Sequence, residues 1–291
     1  MVSVCSAFTQ PIDGLALVAE GGGQRGIFTA GVLDSWQVAK FNPFKVLIGT
    51  SAGAQNIASY LSGQHGYAYS LITDLTRKPD FFSPWRLFGK QHVMDLDWYF
   101  EQAAHHHYAF DAKAATQNAH DRVVRFSAAK PKSLSTKLLD PTQVGWLPSL
   151  KRSSAIPYLY KSANLVDGGV SAPLPVKEAF ELGGNTIVTI RTTATPPTSL
   201  GDKISKLKPL LCRNNRCPLP IRILDKHESA YQQTQQFIEQ PPADVKVLEV
   251  KPFTPLSSKV LGSSKAALVD DYRQGVAAGQ QFIQTFTATK H

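Results

Sequence analysis

Three short stretches hold residues whose types and spacing could carry out acyl transfer. Gly49-Thr50-Ser51-Ala52-Gly53 fits Gly-x-Ser-x-Gly, with Ser51 at its centre. A serine on a sharp turn between a strand and a helix is a nucleophile lifted out of the sheet. Small residues two positions to either side, Gly49 and Gly53, let strand and helix approach each other. The start of the following helix aims N–H groups and the positive end of its dipole at the reaction centre. The bland alternative is a serine that only caps a helix. Gly21-Gly22-Gly23-Gln24-Arg25-Gly26 matches Gly-x-Gly-x-x-Gly. A dinucleotide site would need an acid about 20 positions on; position 46 is Val46, and the nearby acid, Asp34, falls inside a predicted helix. The phosphate-loop pattern is absent as well. Consecutive backbone N–H groups in such a turn can hold a developing oxyanion, with the Arg25 charge beside them; a tight turn without a ligand is the alternative.

A serine hydroxyl needs a base. His65, His92, His105, His106, His107, His120, His227 and His291 lie in no recognisable catalytic context. The run His105–His107 reads as a solvated surface. Asp167 closes a short apolar stretch and precedes Gly168 and Gly169, which allow another segment to come close. An aspartate is ionised at neutral pH and can accept a proton. A turn-forming Asp-Gly is the competing reading.

The elements that must position these residues follow from the hydrophobic pattern. Leu15–Glu20 has strand length and runs into the glycine turn. Ile27, Leu33 and Trp36 then share a helix face. Lys45–Ile48 is a second strand, followed by the serine turn and a helix that Gly63 stops. Two strand–turn–helix units predict a mostly parallel sheet flanked by helices, an α/β fold. Strands are also expected at Arg122–Ser127, Thr186–Ile190 and Val245–Val250, and helices at His227–Gln240 and Ser264–Phe286. Lys130–Ser149 and Thr192–Cys217, rich in Pro, Ser, Lys or Arg, are expected to loop over the surface.

The 291 residues are enough for a large core, and 43% apolar with 18% charged residues excludes a disordered chain. The net charge of +9 favours an anionic contact without choosing it. Three cysteines, Cys5, Cys212 and Cys217, make no disulfide framework, which points to an intracellular, cytoplasmic chain. Cys212 and Cys217 lack a second ligand pair for zinc, so no metal is expected. No secretory signal or spanning run is visible. Phe81, Phe82, Trp85, Leu87 and Phe88 stand among Lys78, Arg86 and Lys90, a mixture suited to an anionic membrane surface or to a packed loop with a solvated rim.

In this order, EGGGQRG, GTSAG and SSAIPYLY…LVDGG resemble the patatin-like phospholipases, over about residues 14–190. The resemblance implies a patatin-like catalytic domain at 14–190, with 191–291 as an extension packing on the same body. It implies Ser51 as nucleophile and Asp167 as base of a Ser–Asp dyad. It further implies Gly21, Gly22, Gly23, Arg25 and Gly26 as the oxyanion segment, and Ser153–Pro157 as a wall of the site. Glu20 stands where many members have Asp. The implied activity is hydrolysis of fatty acyl esters of lipids through an acyl-enzyme, with no cofactor and no nucleic-acid partner. A carboxylesterase or thioesterase acting on soluble esters and a non-catalytic lipid-binding module remain alternatives. Oligomeric state and head-group preference are not readable.

Overall fold

The computed structural model describes residues 8–89, 91–161, 164–193, 212 and 217–288. The chain begins with β1 (Ile12–Ala19), a 3-10 turn (Gly23–Arg25), α1 (Gly26–Val38), β2 (Phe44–Thr50) and α2 (Ala52–Ser62). Short helices follow: α3 (Tyr67–Ser70), α4 (Leu96–Gln102) and α5 (Ala112–Asn118). Then come β3 (Val123–Ala129), β4 (Thr136–Leu139), α6 (Pro141–Val144), α7 (Trp146–Ser153), β5 (Val166–Asp167), α8 (Val176–Glu181) and β6 (Thr186–Ile190). The remainder is α9 (Leu219–Glu239), β7 (Lys246–Val250) and α10 (Lys265–Ala288).

One sheet of order β4-β3-β2-β1-β6-β7 runs through the molecule, with β5 pairing β3. The pairs β1–β2, β1–β6, β2–β3 and β6–β7 are parallel; β4 and β5 join β3 antiparallel. The mostly parallel α/β expectation is met. Alternation along β1 explains its unbroken apolar run: Leu15, Leu17 and Ala19 enter one core cluster, Ala16 and Val18 the other. A strand buried on both faces has no polar side to show.

Helices α1 and α10 pack backbone to backbone. A Cβ on Gly275 would lie 2.1 Å from the Phe28 carbonyl oxygen, and one on Gly31 would lie 2.2 Å from that of Tyr272. The gap also lets the buried Trp36 Nε1 donate to the Gly279 carbonyl at 3.0 Å.

Two expectations are corrected. Lys130–Ser149 is not a surface loop: it contains β4, α6 and the first half of α7. Leu134, Leu139, Trp146 and Ser149 are buried there. The three cysteines are expected to supply no disulfide framework, yet Cys212 and Cys217 are joined by a disulfide, S–S 2.03 Å. The expected basic excursion otherwise lies largely outside the described residues, as do Cys5, Lys90 and His291.

Candidate active site

Register brings the chemistry together. Ala19 at the end of β1 is level with Gly49 of β2 on one side and Ile190 of β6 on the other. The turns that follow, at Glu20–Gly23, Ser51 and Arg191–Thr192, therefore meet at one sheet edge. That edge is the carboxyl side of the strands, where the strand order reverses around β1, the usual place for a ligand in an open α/β sheet. On the next strands, Thr50 pairs with Ser127, and Ala128 with Asp167. The backbone thus carries Asp167 toward Ser51 across β3.

Ser51 has φ 53° and ψ −117°, in the left-handed half of backbone space that residues with a Cβ rarely occupy. The tight turn is possible because Gly53 has no side chain: a Cβ there would sit 2.3 Å from the Ala19 carbonyl oxygen. The Ser51 N–H donates to Ser153 Oγ at 2.9 Å. The Ser51 hydroxyl lies near enough to the Asp167 carboxylate to favour its ionised form. Both residues are buried.

Asp167 is held by its own loop. Its N–H donates to the Ala155 carbonyl at 2.8 Å, and its Oδ1 accepts the Gly169 N–H at 2.6 Å. Gly168 lets this turn lie on β3, since a Cβ would be 2.2 Å from Ser127 Oγ. Burial raises the Asp167 pKa from 3.8 to about 6; the Ser51 hydroxyl, the hydrogen bond from Gly169 and the nearby His227 partly oppose that rise. A carboxylate with pKa near 6 is a stronger base than an exposed one, yet is still largely ionised at neutral pH.

The glycine turn lies against the serine: a Cβ on Gly21 would come within 3.6 Å of Ser51 Cβ. Its N–H groups are not equivalent. The Gly21 N–H donates to the Pro173 carbonyl at 3.1 Å, and the Gln24 N–H to that of Val260 at 2.9 Å. Gly22 and Gly23 precede the first bond of the 3-10 turn, and their N–H groups have no partner among the described residues. Of the glycines in the segment read as a possible oxyanion site, Gly22 and Gly23 thus keep N–H groups open to a ligand. Gly26 begins α1 behind them, where a Cβ would be 2.9 Å from that of Ala52. Arg25 Nε is buried without a hydrogen-bond partner among the described residues, and the charge of Arg25 acts on buried Glu20. Burial raises the Glu20 pKa, against the Thr192 hydrogen bonds and the charges of Arg191 and Arg25.

From Ser51 opens a largely apolar cavity. Its apolar lining includes Leu71, Ile72, Phe81, Met94, Leu96 and Ile156. Gln55 lies in it and is fixed from both ends, accepting from Tyr99 Oη at 2.6 Å and donating to Ser154 Oγ at 3.0 Å. Of the stretch Ser153–Pro157, Ser154 and Ile156 line this cavity, and Ser153 binds the Ser51 N–H. Val260 and Leu261 also line the cavity. Sequence reasoning missed them because they lie more than 200 positions beyond Ser51, in a stretch without a motif. It also passed over His227, whose Nδ1 lies 2.6 Å from the Gly169 carbonyl oxygen. Among the described residues, no group of His, Cys, Asp and Glu could hold a metal ion, and no helix is long and apolar enough to cross a membrane.

A family model described as Patatin-like phospholipase matches residues 17–180. Residues 217–289 match a domain of unknown function, DUF6363. The uncharacterized protein YjjU of Escherichia coli strain K12 is 39% identical over 277 residues, which cover 93% of this chain and 77% of YjjU. Among solved structures, VipD from Legionella pneumophila aligns at TM-score 0.48 and 12% identity, over 94% of this chain and 67% of VipD. Human GIVD cytosolic phospholipase A2, in complex with methyl gamma-linolenyl fluorophosphonate, aligns at TM-score 0.46 and 13% identity, over 98% of this chain and 60% of the human one. The phospholipase model spans more than half of the sequence, and the chain belongs to the patatin-like phospholipase family.

Proposed function

We propose that this chain hydrolyses fatty acyl esters of lipids, with Ser51 as nucleophile and Asp167 as general base. The observation that carries the reading is a buried serine on a strained turn, beside a buried carboxylate, at the end of an apolar cavity. Asp167 takes the Ser51 proton as the hydroxyl oxygen attacks the ester carbonyl. The N–H groups of Gly22 and Gly23 stabilise the oxyanion. The tetrahedral intermediate collapses, the C–O bond to the alcohol breaks, and the proton on Asp167 passes to the departing alkoxide. Water then attacks the acyl-Ser51 ester, giving a proton to Asp167 that returns to Ser51 as the carboxylic acid leaves. The chemistry needs neither metal nor cofactor.

The apolar lining favours a fatty acyl chain over a small soluble acyl group, because burying each methylene contributes about 0.8 kcal/mol. Asp167→Asn is expected to lower turnover of a medium-chain ester by about 10³-fold or more without loss of fold. Near-normal turnover of a folded Asp167→Asn protein would exclude Asp167 as the base. A wild-type enzyme that prefers acetyl to decanoyl esters would favour the soluble-esterase reading.

An anionic lipid surface is the partner this reading implies. Trp85, Leu87 and Phe88 are 81%, 68% and 86% exposed on a short helical turn at Pro84–Phe88. The loop bearing them is closed by pairing of Phe82 with Met94, and Met94 lines the cavity. Arg77, Lys78 and Arg86 flank the apolar tip. Aromatic side chains ringed by bases match an acidic membrane face. Trp85→Ala/Phe88→Ala is expected to reduce flotation with acidic vesicles several-fold at an unchanged melting temperature. Equal binding of wild type to neutral and acidic vesicles would remove the electrostatic part.

A further inference from the structure

Gly169 is the weak point of the turn that holds Asp167. Its N–H donates to Asp167 Oδ1, and a Cβ in its place would come within 2.8 Å of that same oxygen. Glycine is therefore required here, yet glycine leaves φ and ψ soft. An outside contact on its other end would fix the direction of its N–H, and so the carboxylate. That contact exists. The His227 ring nitrogen Nδ1 lies 2.6 Å from the Gly169 carbonyl oxygen. A carbonyl only accepts, so Nδ1 carries the hydrogen.

The placement of His227 is built into its helix. Ile223, His227, Ala230, Tyr231 and Thr234 recur at helical spacing on one face of α9. Ile223 packs against the cluster of Ala129, Leu134, Val166 and Val170, which flank the Asp167 turn. Tyr231 Oη accepts from Arg191 at 2.7 Å, and Thr234 Oγ1 donates to the Leu174 carbonyl at 3.2 Å. The helix belongs to the stretch matching a domain of unknown function.

We propose that His227 is a positioning residue for acyl transfer, locking the Asp167–Gly169 turn through the Gly169 carbonyl, and that the C-terminal unit thereby completes the catalytic site. The proposal rests on the acyl-hydrolase reading above. The charge of His227 also acts on Asp167 in the direction that keeps it ionised. The histidine exchanges no proton with substrate in this account; it acts only through the geometry of the base.

The test compares wild type, His227→Ala and His227→Asn on a decanoyl ester, together with the rate of Ser51 modification by a fluorophosphonate. Asparagine can present an N–H near the position of Nδ1. His227→Ala is expected to lower kcat and the modification rate about tenfold, with KM changed less than twofold. His227→Asn is expected to recover most of both. A purely structural role predicts equal losses in the two variants, tracking their melting temperatures, and would overturn the proposal. So would wild-type kcat in His227→Ala. If His227→Ala does not fold, His227→Asn and His227→Phe decide: the former must stay active and the latter must not. Wild-type protein without turnover or modification would remove the acyl-hydrolase reading itself, and this proposal with it.

Discussion

At the scale of single residues, the account turns on a carboxylate made basic by burial. Asp167 acts as base only when ionised. Its pKa is raised from 3.8 to about 6, so ionisation is lost as pH falls through about 6 rather than near 4. The acid limb of kcat/KM is therefore expected near pH 6, with a tenfold fall for each further pH unit below it. A profile flat down to pH 4.5 would contradict this assignment. Ser51 and Asp167, the proposed dyad, stood out in the sequence because each sits in a turn that demands glycine neighbours. Those glycines mark contacts a Cβ would break: Gly53 against Ala19, and Gly168 against Ser127. His227 was not legible. Its partner is a backbone carbonyl, which places no demand on the sequence at position 169 beyond what Asp167 already makes.

At the scale of elements, strands buried on both faces and helices ended by glycine were readable because one pattern decides them. β1, β2, β6 and α2 lie within a few residues of expectation, and Gly63 caps α2 at φ 73°. The stretch from Lys130 to Ser149 was misread because Pro, Ser and Lys also serve in ordered positions. Pro141 opens α6, where a missing N–H costs nothing, and Ser149 is fully buried on α7. The α1–α10 contact shows the same limit. Gly31, Gly275 and Gly279 look like helix-weakening residues until the two backbones are seen to touch. Gly275→Ala, which would aim a methyl at the Phe28 carbonyl, is expected to destabilise the protein by about 1–3 kcal/mol in urea unfolding. An unchanged midpoint would mean that α10 packs less closely than described.

At the scale of the whole molecule, the C-terminal third is not an appendage to the site. β7 extends the sheet beside β6, α10 covers α1, Val260 and Leu261 wall the cavity, and α9 reaches the Asp167 turn. The family motifs end before all four. The motifs therefore pointed to the family, while the shape of the cavity at Ser51 depends on contacts between residues far apart in the chain. The surplus positive charge and the exposed aromatic tip at Trp85–Phe88 are the whole-molecule features on which the proposed docking to an anionic lipid surface rests. The central claim is that Ser51 forms the acyl-enzyme. Its most direct measurement is incubation of the protein with a long-chain fluorophosphonate, followed by peptide mass spectrometry. The account predicts a single adduct on Ser51, formed in step with loss of decanoyl-ester turnover and absent from Ser51→Ala. An adduct on another residue accompanying the loss, or full ester turnover by folded Ser51→Ala, would contradict it.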